Sequence, residues 1–287
     1  MNSPLLSIAI PTYNRCNYLL EVLPQILKQC DEIDSQADKI EVLVSDNAST
    51  DNTQERIKEL HHPRIKYYRN TANIGGDANF IECVKRANGK YVWLFGDDEI
   101  IVDKSLRKIF KAIEEYHPSL LITGSLLRKS QYFRTYHEAL SRLIWLRQPR
   151  FHVEHTMITF NIFLKQLFDV DRANNKISTN YGHMYGFMGN LAKAKGVYVF
   201  GKNEIFCVRK IRAEFELSQI NLEEKLLEYS FYIGDINNIP MIKFNSWIFY
   251  KLINKPPLVY LRFETYKRLR QLKKFLINLT GRGQGSL

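Results

Sequence analysis

The sequence predicts an α/β protein with a doubly wound, mostly parallel sheet and a basic, helical C-terminal region. Two observations predict the sheet: short apolar segments alternate with amphipathic segments over the first 125 residues, and most apolar segments end in a polar loop. Uneven charge sets the C-terminal region apart. Residues 243–287 carry 10 Lys and Arg against 1 acidic residue, so they hold most of the chain's net charge of +11.

Length and composition indicate one patterned globular domain with an appended tail. The 287 residues, 45% of them hydrophobic, can bury a sizeable core. We divide the chain into residues 1–125, residues 126–242 as the second half of the same domain, and the tail 243–287. No stretch reaches the roughly 18 apolar residues of a spanning helix, and no signal-peptide core is found, so we expect a cytoplasmic protein. Four cysteines without a Cys-x-x-Cys spacing favour reduced thiols over a zinc site or disulfides.

The first elements form a strand–helix–strand unit. The apolar run at 5–10 predicts a buried strand, and residues 18–29 place five apolar side chains at helical spacing. Residues 39–45 are rich in β-branched side chains, which favour a second strand. This order is typical of a parallel sheet whose connecting helices cross its faces.

The same alternation continues in the next segments. The polar loop 46–53 is rich in helix-capping residues and leads to a helix that ends near residue 60. A short basic strand is expected at 64–69. The loop 70–77 contains paired glycines, which allow positive φ angles and close approach of the backbone to a ligand, and a helix at 78–87 follows.

Three acidic residues follow the most apolar of the predicted strands. Tyr91–Phe95 is a continuous apolar run, and Asp97, Asp98 and Glu99 come just after it. Because ligands of open α/β sheets lie beyond the carboxyl ends of the strands, we expect these acids at a site. Adjacent carboxylates repel one another, and a divalent cation that also bridges phosphate oxygens would relieve the repulsion. The alternative is that the Gly-Asp-Asp turn only caps the helix expected at 103–116.

The pattern weakens beyond a further strand expected at 120–124. Residues 126–180 mix basic and aromatic residues without a clean period, and we expect helices and loops that close over a site. An apolar helix is expected after 181–186, followed by strands at 197–199 and 205–208.

Motifs at the ends of the predicted strands follow one another in a set order. They are Pro11–Arg15, Asp46–Asp51, Asn70–Gly76 and Gly96–Asp98, with Asn88-Gly-Lys-Tyr before the acids. Over about residues 5–125, with a weaker echo to about 215, this order resembles the family 2 glycosyltransferases of the A-type fold. Within that family the chain is most similar to bacterial enzymes that add sugars to surface polysaccharide, including abequosyltransferase-like members.

The resemblance implies a nucleotide-binding role for six residues. They are Pro11, Tyr13, Arg15, Asp46, Asn73 and Gly75. The first three match the loop that lies along the nucleotide, and Asp46 matches the carboxylate that receives an N–H of the base. The last two fall on the segment near the base and ribose. Residues 1–125 are thus expected to be the nucleotide-sugar half, and residues 126–242 the acceptor half.

The resemblance also implies a divalent metal, Mn²⁺ or Mg²⁺, on the diphosphate of the donor. Asp97 matches the acid that binds this metal, and Asp98 beside it is expected to act both as a ligand and in catalysis. Phe95 stands where many relatives carry the first Asp of the motif. This departure leaves fewer carboxylates for the metal.

Two further basic sites are expected from the resemblance. Where many relatives have Glu-Asp, this chain has His183-Met184, so His183 is a candidate for the general base or for a further metal ligand. The alternative is a capping or core histidine. Arg209 and Arg212 match a basic segment that reaches back to the diphosphate, which guanidinium groups suit. For these two residues the alternative is a solvated sheet edge.

These features predict a metal-dependent hexosyltransferase on the inner face of the membrane. It would move a sugar from a nucleoside diphosphate donor to a lipid-linked glycan in lipopolysaccharide or capsule synthesis. In the tail, residues 258–279 combine a leucine stripe with a basic face, so we expect attachment to anionic lipid. The alternative is a helix packed on its own domain. No nucleic-acid module accompanies the tail, and we expect no nucleic-acid partner.

Two other functions are open at this point. A sugar nucleotidyltransferase is expected to carry a glycine-rich loop with Lys or Arg after the first strand, and Thr12–Asn17 is not such a loop. A catalytically inactive glycan-binding or membrane-adaptor domain is favoured by Phe95 and by the missing Glu-Asp.

Overall fold

The structure is a computed structural model, and our description covers residues 3–34, 38–124, 127–136, 138–139, 158–177, 182–188, 190 and 193–207. The predictions for Arg209, Arg212 and the tail 243–287 lie outside these residues. Within them, no helix is both long and apolar enough to cross a bilayer.

An eight-stranded sheet forms the centre of the described chain. In chain order the strands of the described residues are β1 (Leu6–Thr12), β2 (Ile40–Asp46), β3 (Ile65–Arg69), β4 (Tyr91–Leu94), β5 (Ile100–Ile101), β6 (Leu120–Ile122), β7 (Gln131–Thr135), β8 (Asn161–Leu164), β9 (Lys195–Val199) and β10 (Phe206–Cys207). The sheet order is β3-β2-β1-β4-β8-β6-β9-β7, while β5 and β10 pair separately. β1 runs parallel to β2 and β4, and β8 runs antiparallel to its neighbours β4 and β6.

Helices cover both faces of this sheet. They are α1 (Cys16–Ile33), α2 (Thr53–Glu59), α3 (Gly76–Arg86), α4 (Ser105–Tyr116), α5 (Val170–Asn174) and α6 (Gly182–Met188). Leu6, Ile8 and Ile10 of β1 join the main core with residues of α1 and α4. Since strand side chains alternate between faces, Ala9 points to the other face, where α3 packs on β1 and β2. This arrangement confirms the doubly wound, mostly parallel α/β class.

Two details differ from the sequence-based expectation. β7 and β8 lie in a segment where only helices and loops were expected. β8 has four residues, and such a short run carries no periodic signal, yet it gains a ladder on each side. β1 also extends through Pro11 and Thr12. The carbonyl of Ala9 accepts from Phe95 N, and Pro11 faces the same side beyond the end of β4, so its missing N–H breaks no ladder bond.

The sheet order places a crevice at the end of β1. The chain passes from β1 to its neighbour β2 on one side and later returns to β4 on the other, which makes β1 the switch point of the sheet. Thr12, Asp46 and Asp97 therefore stand at the carboxyl ends of three adjacent strands. The motifs that are far apart in sequence meet along this edge.

Candidate functional site

The acids after β4 are held by residues of the β1–α1 loop. Asp97 is only 5% exposed, and its Oδ2 accepts a hydrogen bond from the Thr12 hydroxyl at 2.8 Å. Nη1 of Arg15 contacts both carboxylates, at 3.2 Å from Asp97 Oδ1 and 2.8 Å from Asp98 Oδ2. The positive charge that the acids require is thus supplied, in this structure, by Arg15.

The electrostatic environment of Asp97 favours the protonated form. Burial raises the pKa of Asp97 to about 6, and the nearby Asp98 adds to the rise. The guanidinium of Arg15 and the Thr12 hydroxyl act in the opposite direction, but they do not outweigh burial. A further positive charge at this point would therefore favour the carboxylate.

The helix-capping alternative for the Gly-Asp-Asp turn does not fit the structure. α4 begins at Ser105 after Lys104, and the first-turn N–H of Leu106 donates to Gln29 Oε1 at 3.2 Å and not to an acid of the turn. β5 lies between the acids and this helix. Phe95, which stands where the resemblance places an acid, is fully buried and packs edge-on against Trp93, with ring centroids 4.8 Å apart. Phe95 is thus part of the core.

Asp46 lies at the end of β2 in a dense polar cluster. Its carboxylate is fully buried: Oδ1 accepts from Ser49 N at 2.8 Å, and Oδ2 accepts from the Tyr67 hydroxyl and from Arg69 Nε at 3.3 Å. Arg69 also donates to the Ser49 carbonyl at 2.6 Å. Burial and the hydrogen bond to Asp46 raise the pKa of the Tyr67 hydroxyl, so it stays a donor. These hydrogen bonds fix the loop that follows β2 and hold the guanidinium of Arg69 next to the Asp46 carboxylate.

Asn73 and Gly75 form the other side of this cluster. Oδ1 of Asn73 accepts from Asn47 Nδ2 at 2.8 Å and from Gly75 N at 2.9 Å, and Asn47 Oδ1 accepts from Ile74 N. Gly75 has a φ of +84°, which favours glycine, and a Cβ placed there would meet no atom within 4 Å. The backbone at Gly75 thus borders open space, as a ligand-facing segment requires.

Pro11 and Tyr13, the other two residues expected along the nucleotide from this loop, differ in exposure. Pro11 is buried in β1, whereas Tyr13 is 40% exposed. A cleft of about 630 Å³ opens beside Arg15 between the first turns of α1 and α2, and Tyr18, Asp51 and Arg56 contribute to its lining. The Arg15 side chain therefore has space next to the carboxylates that it contacts.

His183 lies on α6 and faces α3. It is 4% exposed, its Nδ1 is 3.9 Å from Oδ1 of Asp77, and its ring packs edge-on against Phe80. The other oxygen of Asp77 accepts from Gly182 N at 3.2 Å, which ties the start of α6 to α3. The packing of α6 on α3 thus directs the imidazole towards Asp77.

The donor set after β4 suits a hard cation such as Mg²⁺ or Mn²⁺. Asp97 and Asp98 offer carboxylate oxygens, and such ions are commonly bound by one or two carboxylates together with substrate phosphates. Across the described part of the chain, no three His, Cys, Asp or Glu side chains gather as a metal site, so His183 is not brought into one group with the two aspartates. Asp97 and Asp98 are the residues that would hold the ion.

Several residues of this edge were not singled out from the sequence. Thr12, Tyr67, Arg69 and Asp77 all contact expected site residues. A signal for two of them was present: Tyr67 and Arg69 are two apart in a predicted strand, so they share one face of the sheet. Thr12 and Asp77 could be found only once the strand order was known.

Comparison with known proteins agrees with this geometry. A family model described as glycosyl transferase family 2 matches residues 7–189. The abequosyltransferase RfbV of Salmonella typhimurium is 44% identical over 105 residues, which are 36% of this chain and 30% of that protein. The uncharacterised glycosyltransferase MJ1057 of Methanocaldococcus jannaschii is 33% identical over 117 residues, 40% of this chain and 39% of that protein. The matches thus span well under half the length of these relatives.

A solved structure shows the same fold. The crystal structure of S. aureus TarS 1–349 matches with a TM-score of 0.61 at 18% identity, over 87% of this chain and 70% of that one. The same TarS fragment has been crystallised with UDP and with UDP-GlcNAc. The predicted A-type fold is thereby confirmed. Because the family model covers residues 7–189, well over half of the chain, the protein belongs to glycosyl transferase family 2.

Proposed function

We propose that the protein is a metal-dependent hexosyltransferase that takes its sugar from a nucleoside diphosphate donor. One observation carries this proposal: the Asp46 cluster and the Asp97–Asp98 pair stand at the ends of β2 and β4, on either side of β1. Neighbouring strands are about 4.8 Å apart, so the two groups are separated by about 10 Å across the sheet. That span suits a nucleotide whose base lies at one group and whose diphosphate lies at the other.

Each group of residues has a distinct role in the proposed reaction. The cluster around Asp46, Arg69 and Asn73 orients the base and ribose through fixed donors and acceptors. Asp97 and Asp98 hold the divalent ion, which when bound offsets charge on the departing nucleotide. His183 is the proposed base that takes the proton of the acceptor hydroxyl.

We further propose that the acceptor is a lipid-linked glycan in lipopolysaccharide or capsule synthesis. An abequosyltransferase among the relatives supports a surface-polysaccharide role, since its matched stretch is 44% identical. The basic tail at 243–287 supports a peripheral position on the cytoplasmic face of an anionic membrane. Arg209 and Arg212 are proposed separately as further contacts to the diphosphate, since guanidinium groups pair with phosphate oxygens.

A donor screen tests the proposed activity. The full chain is incubated with UDP-, GDP-, CDP- and dTDP-sugars and membrane extract, with and without Mn²⁺ or Mg²⁺, and nucleotide release is measured. We expect release from one nucleotide class that depends on the metal and on the extract. Asp46→Ala is measured in parallel as a variant with weakened donor binding, since loss of a charged hydrogen-bond acceptor costs about 1.5 to 3 kcal/mol of binding free energy.

A second candidate is an inactive glycan-binding or membrane-adaptor domain. Phe95 is fully buried in place of an acid, and the Glu-Asp of many relatives is replaced by His183-Met184, both of which are buried. If no nucleotide sugar is turned over but the chain retains glycan or membrane from the extract, this second candidate is favoured.

A further inference from the structure

Arg15 occupies the two carboxylates that the proposed function assigns to a divalent metal. We propose that Arg15 is a built-in counter-ion, which holds Asp97 and Asp98 in the donor-free protein and leaves them for the diphosphate of the donor. The binding of the metal and the binding of the donor would then be cooperative. This inference rests on the proposed function, because it takes the metal and the diphosphate from there.

The contact geometry places one nitrogen between the two acids. The same atom, Arg15 Nη1, lies 3.2 Å from Asp97 Oδ1 and 2.8 Å from Asp98 Oδ2. A cation that bridged these two oxygens would lie within a few Å of the guanidinium, and two positive charges at that distance repel strongly in a partly buried site. Arg15 and a metal ion therefore exclude each other from the carboxylate pair.

Arg15 can leave this position without disturbing the backbone. Its side chain is 45% exposed, whereas the side chains of Asp97 and Asp98 are 7% and 14% exposed. The flanking backbone is held independently, because Asn14 N donates to Ser49 Oγ at 2.9 Å and Cys16 N donates to Asp51 Oδ2 at 3.1 Å. The cleft of about 630 Å³ beside Arg15 provides room for the side chain to turn.

A diphosphate has the charge that would draw Arg15 away. Guanidinium groups pair with two phosphate oxygens at once and cannot lose their proton. A nucleoside without phosphates offers no such partner, so it would leave Arg15 on the acids. The device thus discriminates by phosphate charge, and the coupling is reciprocal: the factor by which a diphosphate raises metal affinity equals the factor by which metal raises diphosphate affinity.

A permanent role is the competing interpretation. Arg15 could replace the metal altogether and stay on the carboxylates with donor bound. In that case neutralising Arg15 would not create a better metal site, because the carboxylates would not be arranged for an ion. Metal binding in the absence of donor separates the two interpretations.

The test measures Mn²⁺ binding by the loss of the free-ion electron paramagnetic resonance signal. Wild type, Arg15→Gln, Arg15→Lys and Arg56→Gln are compared as full chains, alone and with UDP, CDP or GDP. Arg56 lines the same cleft and pairs with Glu59, so its variant removes an equal charge that does not touch the acids. A second neutral variant, Arg15→Ser, replaces Arg15→Gln if circular dichroism shows that the latter is unfolded.

Without nucleotide, we expect Arg15→Gln to bind Mn²⁺ at least tenfold more tightly than wild type. Arg15→Lys and Arg56→Gln should resemble wild type, and the rise in Mn²⁺ affinity caused by the diphosphate should be smaller in Arg15→Gln. Equal Mn²⁺ affinity in Arg15→Gln and wild type overturns the inference. The same holds if neither protein binds the ion. Sugar transfer is no part of this readout. If Arg15→Gln binds Mn²⁺ more tightly but the protein turns over no sugar nucleotide, only the proposed function is refuted. If the protein turns over a sugar nucleotide but Arg15→Gln binds Mn²⁺ as wild type does, only the counter-ion role of Arg15 is refuted.

Discussion

Asp97 combines burial with a negative charge, and this combination makes stability depend on pH. Its pKa is raised to about 6, chiefly by burial, while an ordinary aspartate in the unfolded chain has a value of 3.8. Between these values the folded state binds a proton that the unfolded state has released. The contribution of Asp97 to the free energy of unfolding is therefore fully present below pH 4 and lost as the pH rises through 6.

We predict that Asp97→Asn stabilises the protein at neutral pH while it abolishes transfer. Asparagine keeps an acceptor for Thr12 but removes the buried charge. Relative to wild type, the free energy of unfolding of the variant should rise by roughly 2 to 3 kcal/mol between pH 4 and pH 7.5, since one pKa unit corresponds to about 1.4 kcal/mol. Urea unfolding at the two pH values measures this change.

Asp51→Asn provides a control of opposite sign. Burial tends to raise the pKa of Asp51, but hydrogen bonds from Thr53 and from Cys16 N outweigh it and hold the pKa below its usual range. Its stabilisation is present above the ordinary aspartate pKa and is lost on acidification. Asp51→Asn should thus lose stability at pH 7.5 and less at pH 4. If both variants respond alike, the cause is not the charge of Asp97.

At the residue level, the sequence predicted which carboxylates follow the strands but not what they contact. Asp97 and Asp46 could be located because each follows a predicted strand. Arg15 contacts Asp97 across 82 positions of the chain, and that contact depends on β1 and β4 being neighbours. No local pattern encodes this adjacency. The charge partner of the acids was therefore expected to be a metal, and the structure adds an arginine.

At the level of elements, the first half of the fold was predictable because each strand and helix has its own period. The glycine of the Asn88-Gly89 motif, just before β4, has a steric cause that the structure explains. A Cβ at Gly89 would lie 2.5 Å from Ser7 N, and the Gly89 N–H donates to the Ser7 hydroxyl at 2.7 Å. The motif thus serves the close approach of β4 to β1. By contrast, β7 and β8 are too short or too exposed to show a period.

His183 lies at the contact between α3 and α6, and we predict the effect of replacing it. His183→Ala should lower the single-turnover rate about 100-fold or more, as loss of a general base does, and leave donor affinity nearly unchanged. Rapid-quench single turnovers and equilibrium donor binding measure the two quantities. Phe80→Leu is the matched control, because it removes the ring that packs on His183 but no proton acceptor. Should His183→Ala keep the wild-type rate and only lower the melting temperature, His183 merely joins α6 to Asp77.

At the scale of the whole molecule, most of the net charge lies in the tail, residues 243–287. Residues 1–242 carry 31 basic and 29 acidic side chains, whereas residues 243–287 carry 10 and 1. A nearly neutral segment is not attracted to an anionic surface by its net charge. The tail is therefore the segment whose charge favours an anionic membrane surface.

We predict that truncation before Pro256 leaves donor binding intact but abolishes sedimentation with anionic vesicles. Near such a surface each Lys or Arg contributes about 1 kcal/mol, and the leucine stripe of 258–279 adds apolar contact. High salt should release the intact chain, because screening shortens the reach of exposed charges. The control keeps the stripe and replaces only basic residues with Gln, at Lys267, Arg268, Arg270, Lys273 and Lys274. That variant should fold and fail to sediment; if instead the truncated chain does not fold while the Gln variant still sediments, the stripe belongs to the core and the membrane role is lost.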